Sequence, residues 1–94
     1  MKIEWTGRAT IAVANIHEYI ANDNLAAANN LRDKIVTFVN ITLVTHPLIG
    51  RPGRVNNTRE KVIHSSYIIV YRVTGEQIEI LTVRHGAQKW LGGF

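Results

Sequence analysis

The chain has 94 residues, no cysteine and a net charge of +4. That length supports one compact domain, residues 1–94, and excludes two, while the missing cysteines exclude disulfide staples and thiolate metal sites and fit a reducing cytoplasm. No apolar run approaches the roughly 20 residues that span a bilayer, so no membrane partner is expected, and the start Met1-Lys2-Ile3-Glu4-Trp5 lacks the apolar stretch of a signal peptide.

Residues 2–5 are short and β-prone and predict an edge strand. Residues 7–22 predict a helix, because Ala9, Ala12, Val13, Ile16, Tyr19 and Ile20 recur at three- and four-residue spacing on one face. Thr6 is its candidate N-cap, and Asn22-Asp23-Asn24 is a turn signal that can cap the next element. Residues 25–44 predict a longer helix, with Ala28, Leu31, Ile35, Phe38, Val39 and Thr42 on one stripe and Pro47 and Gly50 as its stop. Two amphipathic helices joined by a tight polar turn make an antiparallel helical hairpin.

Residues 47–57 hold both prolines, Gly50 and Gly53, and predict a shaped loop. Three strands follow at 58–63, 67–73 and 77–84, linked by His64-Ser65-Ser66 and by the short hairpin Thr74-Gly75-Glu76. The middle run, Tyr67-Ile68-Ile69-Val70-Tyr71-Arg72-Val73, is almost continuously apolar and predicts a central strand, covered by the helices and partly covered on its other side. The order β-α-α-β-β-β argues an α+β fold in which the hairpin packs on one face of a small twisted antiparallel sheet. The tail Leu91-Gly92-Gly93-Phe94 should fray in a free chain, or dock its apolar ends on a groove or a second copy.

Charge is unevenly distributed. Residues 1–50 balance four cations against four acids, whereas residues 51–94 carry seven cations and three acids. A basic C-terminal half suggests an acidic partner or simply a soluble surface. Arg51 and Arg54 fall in the glycine- and proline-shaped loop, which either presents them to a partner or leaves them solvated. Arg59 and Glu60 are strand neighbours and face opposite ways. Arg72 interrupts an apolar strand and needs a counter-charge or solvent. His17 and His46 lack companions at ligand spacing, so no metal or cofactor is expected. Trp5 and Trp90 suit core or edge plugs.

Five motifs in order then resemble the ParE branch of the RelE/ParE toxin superfamily. They are Gly50-Arg51-Pro52-Gly53-Arg54-Val55, Thr58-Arg59-Glu60, Tyr67-Ile68-Ile69-Val70-Tyr71-Arg72-Val73, Ile78-Glu79-Ile80-Leu81 and Val83-Arg84-His85-Gly86-Ala87. The N-terminal half is also similar, with a first helix ending near Tyr19-Ile20 and Ala26-Ala27 early in the second. The resemblance spans residues 1–90. It implies the toxin of a type II toxin–antitoxin pair, a helical hairpin on a small sheet, and a cognate antitoxin, often ParD-like, whose C-terminal segment folds as it binds. It also implies DNA gyrase as target, poisoned without bond-making chemistry, so that no residue is catalytic. Arg51, Arg54, Arg59, Arg72 and Arg84 are then the candidate partner-binding residues.

The alternative is the RelE-like activity, ribosome-dependent cutting of mRNA. Metal-free RNA cleavage needs a base, cations for the charged phosphorane and an acid for the leaving oxygen. Glu60, His64, Arg84 and His85 are suitable residue types, and Glu60, Arg84 and His85 are the candidate catalytic set under this alternative. Two features of the resemblance oppose it. RNA-cutting relatives carry an arginine early on the central strand, where this chain has Ile68, and often a tyrosine near the C-terminus, where the aromatic at hand is Trp90. Arg84 and His85 also point to opposite faces of a strand unless it ends or bulges there.

Overall fold

Thr6 decides how the chain turns from strand to helix. In the computed structural model, which describes residues 1–64 and 66–86, strand β1 (Lys2–Trp5) leads into helix α1 (Gly7–Ala21). Thr6 sits extended between them and its hydroxyl accepts the Ala9 N–H at 3.1 Å. The same hydroxyl donates to the Ile80 carbonyl at 2.8 Å, so the cap also pins the helix start to the sheet. The chain reverses at Asn22–Asn24, and Asn24 Oδ1 accepts the Ala27 N–H at 3.0 Å to cap helix α2 (Leu25–Thr37). His17 meets Asn29 at 2.8 Å across the hairpin and ties its two helices together.

The expected second helix changes its winding before it ends. Phe38–Leu43 is π-helical. Ala28, Leu31, Ile35, Val39 and Leu43 are buried, and the last steps are all four residues long. On an α-helix, four-residue steps drift by roughly 40° each. The wider i→i+5 winding offsets that drift and keeps both Val39 and Leu43 on the sheet. Leu43 therefore replaces Thr42 on the buried stripe.

The sheet has the order β1-β5-β4-β3-β2, with β2 (Arg51–Pro52), β3 (Arg59–His64), β4 (Tyr67–Thr74) and β5 (Gln77–His85). β4 is the central strand, as its apolar run predicts, and β1 is an edge. The sheet is mixed, since β1 runs parallel to β5 while the remaining pairs are antiparallel. The all-antiparallel expectation is corrected here: the helical hairpin returns the chain to the far side of β4, and β1 is left beside the last strand. The loop expected over 47–57 contains one further short strand, β2, paired Arg51 to Glu60 and Pro52 to Arg59.

One β-bulge sets the faces of β5. Val70 pairs with Thr82 and Tyr71 with Ile80, so Leu81 is the extra residue. The bulge lets Ile78, Ile80 and Val83 all face the helices, where they pack with Ile69, Tyr71, Leu31, Ile35, Val39 and Leu43. Each such side chain contributes about 1.5–3 kcal/mol when fully buried. Ile68, Val70 and Leu81 form a second apolar cluster on the far face, the one away from the helices. Among the described residues, no helix is long and apolar enough to cross a membrane. The expectations for Ser65, Ala87, Trp90 and the 91–94 tail lie outside the described residues.

Candidate partner-docking site

Alternation along β3 turns Glu60 to the far face, between Arg51 on β2 and Val70 on β4. Its side chain is only 1% exposed, and three cationic residues converge on it. Arg51 Nη2 lies 3.4 Å from Oε1, the Arg54 backbone N–H donates to Oε2 at 3.0 Å, and Arg84 Nη2 lies 3.8 Å from Oε1. Arg84 reaches Glu60 diagonally from β5, where it stands opposite Ile68. Burial is the main influence on the Arg84 guanidinium and lowers its pKa; the Glu60 carboxylate opposes that, and Arg54 and Arg51 add to it as like charges. The Arg51 side chain is 64% exposed and that of Arg84 only 9%. The far face thus buries one carboxylate, stands one guanidinium beneath the surface and presents Arg51 and Arg54 outward.

Arg59 and Arg72 part from this cluster. Arg59 faces the helix side, where its Nη1 donates to the Gly50 carbonyl at 2.7 Å and to the Leu48 carbonyl at 3.3 Å. Arg72 stands opposite Glu79 on β5, partly buried, and among the described residues its Nε has no hydrogen-bond partner. Its stem and Arg59 line a cleft near the start of β3 with Leu48, Pro52, Asn57 and Thr74. The candidate catalytic set is likewise divided. Glu60 and Arg84 share the far face, whereas His85 stands opposite Tyr67 and meets its ring edge-on at 5.1 Å between centroids. His64 accepts a hydrogen bond from the Lys34 ammonium at 3.0 Å. Among the described residues, no group of three potential metal-ligating side chains converges.

Tyr71 is the site residue that sequence reasoning missed. It is fully buried on β4, and its hydroxyl donates to the Pro47 carbonyl and accepts the Gly50 N–H, both at 2.8 Å. Burial raises its pKa above the ordinary 10.0, against smaller lowering by the Gly50 N–H and the Arg59 charge. The available signal was a phenol in the middle of an apolar strand, because a buried hydroxyl has to find partners.

Comparison with known proteins agrees with this architecture. The family model described as "ParE toxin of type II toxin-antitoxin system, parDE" matches residues 3–90. A protein of Sinorhizobium fredii (strain NBRC 101917 / NGR234) named "Putative toxin Y4kP" is 42% identical over 90 residues, which cover 95% of this chain and 92% of that one. Among solved structures, a chain of the chromosomal ParDE system from P. aeruginosa superposes with a TM-score of 0.75 at 24% identity, covering 90% of this chain and 95% of its own. A chain of the toxin–antitoxin complex RelBE2 from Mycobacterium tuberculosis gives a TM-score of 0.63 at 26% identity, covering 89% and 95%. With the family model spanning nearly the whole chain, this protein belongs to the ParE toxin family of type II toxin–antitoxin systems.

Proposed function

We propose that this toxin poisons DNA gyrase in the cytoplasm by binding it, with no chemistry of its own, and that a cognate, ParD-like antitoxin silences it. The observation that carries this reading is the state of Glu60. A general base needs an accessible lone pair within reach of a substrate hydroxyl. Glu60 is buried, hydrogen-bonded by the Arg54 N–H and flanked by Arg51 and Arg84, so its oxygens are engaged within the fold. His85 faces away from it, and Ile68, packed with Val70 and Leu81, occupies the position where RNA-cutting relatives carry an arginine. What remains is a cationic surface suited to docking, with Arg51 and Arg54 as its contact residues.

The antitoxin reading rests on family membership and on charge. An acidic, amphipathic tail that folds as it binds can cover the helical hairpin and the basic sheet edge together. The second reading, ribosome-dependent mRNA cleavage, draws support from the fold shared with the RelBE2 chain. Purified toxin tested on gyrase separates the two. Supercoiling should stop with accumulation of cleaved DNA, and Arg51→Ala with Arg54→Ala should weaken that inhibition by roughly tenfold or more while changing stability by less than about 1 kcal/mol. Unimpaired supercoiling at saturating toxin contradicts the proposal.

A further inference from the structure

Residues 47–50 carry the chain past Tyr71 on β4 and Arg59 on β3 to Arg51. Two side chains hold this strap. Tyr71 grips Pro47 and Gly50 through one hydroxyl, which donates to a carbonyl and accepts an amide at 2.8 Å each. Arg59 grips the neighbouring carbonyls of Leu48 and Gly50 at 3.3 and 2.7 Å. Tyr71 and Arg59 are a register pair on adjacent strands, so the two grips come from one point of the sheet. Gly50 fits this clamp because it has no side chain: a Cβ there would stand 2.8 Å from the Tyr71 hydroxyl, 2.9 Å from its ring and 3.0 Å from the Glu60 carbonyl. The loop is tied again on either side of Arg54, where Gly53 donates to the Thr58 carbonyl at 2.8 Å and the Thr58 hydroxyl donates to the Val55 carbonyl at 2.6 Å. Arg51 lies between the two ties and Arg54 within the second.

We infer that Tyr71 and Arg59 are positioning residues, which preorganise the loop so that Arg51 and Arg54 meet the target in one fixed geometry. The inference rests on the proposed docking role of those two arginines. It reassigns Arg59 from direct contact to support, since its guanidinium is engaged with loop carbonyls on the opposite side of the sheet from Glu60. A loop fixed before binding loses less conformational entropy on association. Releasing the clamp should therefore weaken docking without removing a docking group.

Tyr71→Phe keeps the ring and removes both hydrogen bonds. Gly50→Ala attacks the same clamp from the strap side and leaves the hydroxyl in place. Amide exchange by NMR reads the clamp directly. In both variants the amides of residues 50 and 51 should exchange about tenfold faster or more, with those of Ile69, Val70 and Val83 unchanged. Potency on gyrase should fall about tenfold, and adding Arg51→Ala to Tyr71→Phe should cost little beyond Arg51→Ala alone. Unchanged exchange at residues 50 and 51 overturns the inference. So does full potency with a loosened strap, or a uniform loss of protection through the sheet in both variants, which would make the clamp only a part of the core. If the unmodified toxin leaves gyrase untouched, the target assignment fails instead, and the exchange pattern alone still decides whether the clamp exists.

Discussion

Glu60 concentrates the residue-scale physics of this toxin. Its carboxylate and the Arg84 guanidinium are both nearly inaccessible and stand 3.8 Å apart, with Arg51 at 3.4 Å on the solvent side. Removing one member of a buried pair strands the other in a medium that solvates it poorly. Glu60→Gln keeps the volume and the acceptor for the Arg54 N–H but removes the charge. Urea denaturation should show a loss of about 3 kcal/mol, at the lower end for a broken buried pair because the contacts are long. A loss well under 1 kcal/mol would show that water already screens this site. Tyr71 gives a second test. Its folded pKa is raised above 10.0, so its neutral form is the one the fold favours. The stability it contributes is fully present below the unfolded value near 10.0 and declines as pH rises from there through the folded value. In an ultraviolet titration of the three tyrosines, Tyr71 should ionise last, and Tyr71→Phe should remove that final step. A last step that survives the substitution would contradict the raised pKa of Tyr71.

Elements were legible wherever a short-range pattern dictates them. The three- and four-residue apolar spacing of α1 and α2, the polar turn at Asn22–Asn24 and the apolar run of β4 each determine their own element, and the structure keeps their bounds to within one or two residues, apart from the later change in helix winding. Features set by distant partners were not legible. The parallel pairing of β1 with β5 joins Lys2 to Gln77, and nothing near Lys2 signals it. The bulge at Leu81 depends on how β4 and β5 share a core, and the π-helical winding of Phe38–Leu43 depends on holding Leu43 against the sheet. The candidate site divides the same way. Opposite facing of Arg59 and Glu60, and of Arg84 and His85, follows from strand alternation alone. Convergence of Arg51, Arg54 and Arg84 on one carboxylate required the register of four strands. Thr6 shows how one residue can join two elements. Thr6→Ala removes the α1 cap and the bond to Ile80, so it should cost about 1–2 kcal/mol in thermal unfolding. Thr6→Ser should restore most of that, and equal losses in both variants would point to the methyl group instead.

At the scale of the whole molecule, the helical hairpin and the far face divide the labour. The helices and β5 bury the principal core, and the opposite side of the same sheet carries the Glu60 cluster with Arg51 and Arg54 outward. Every residue proposed to touch a target therefore stands on a surface whose support is assembled from distant parts of the chain. Among the described residues, the carboxylate beside those cations is the buried and engaged Glu60, and the activity proposed for the surface is accordingly binding. The most direct measurement is a paired assay of one nuclease-free preparation, on gyrase supercoiling and on mRNA in translating ribosomes. Gyrase should be arrested with its DNA cleaved, and messages should stay intact. Codon-linked cuts in the messages that disappear with Glu60→Gln or His85→Ala, beside fully active gyrase, would contradict the account.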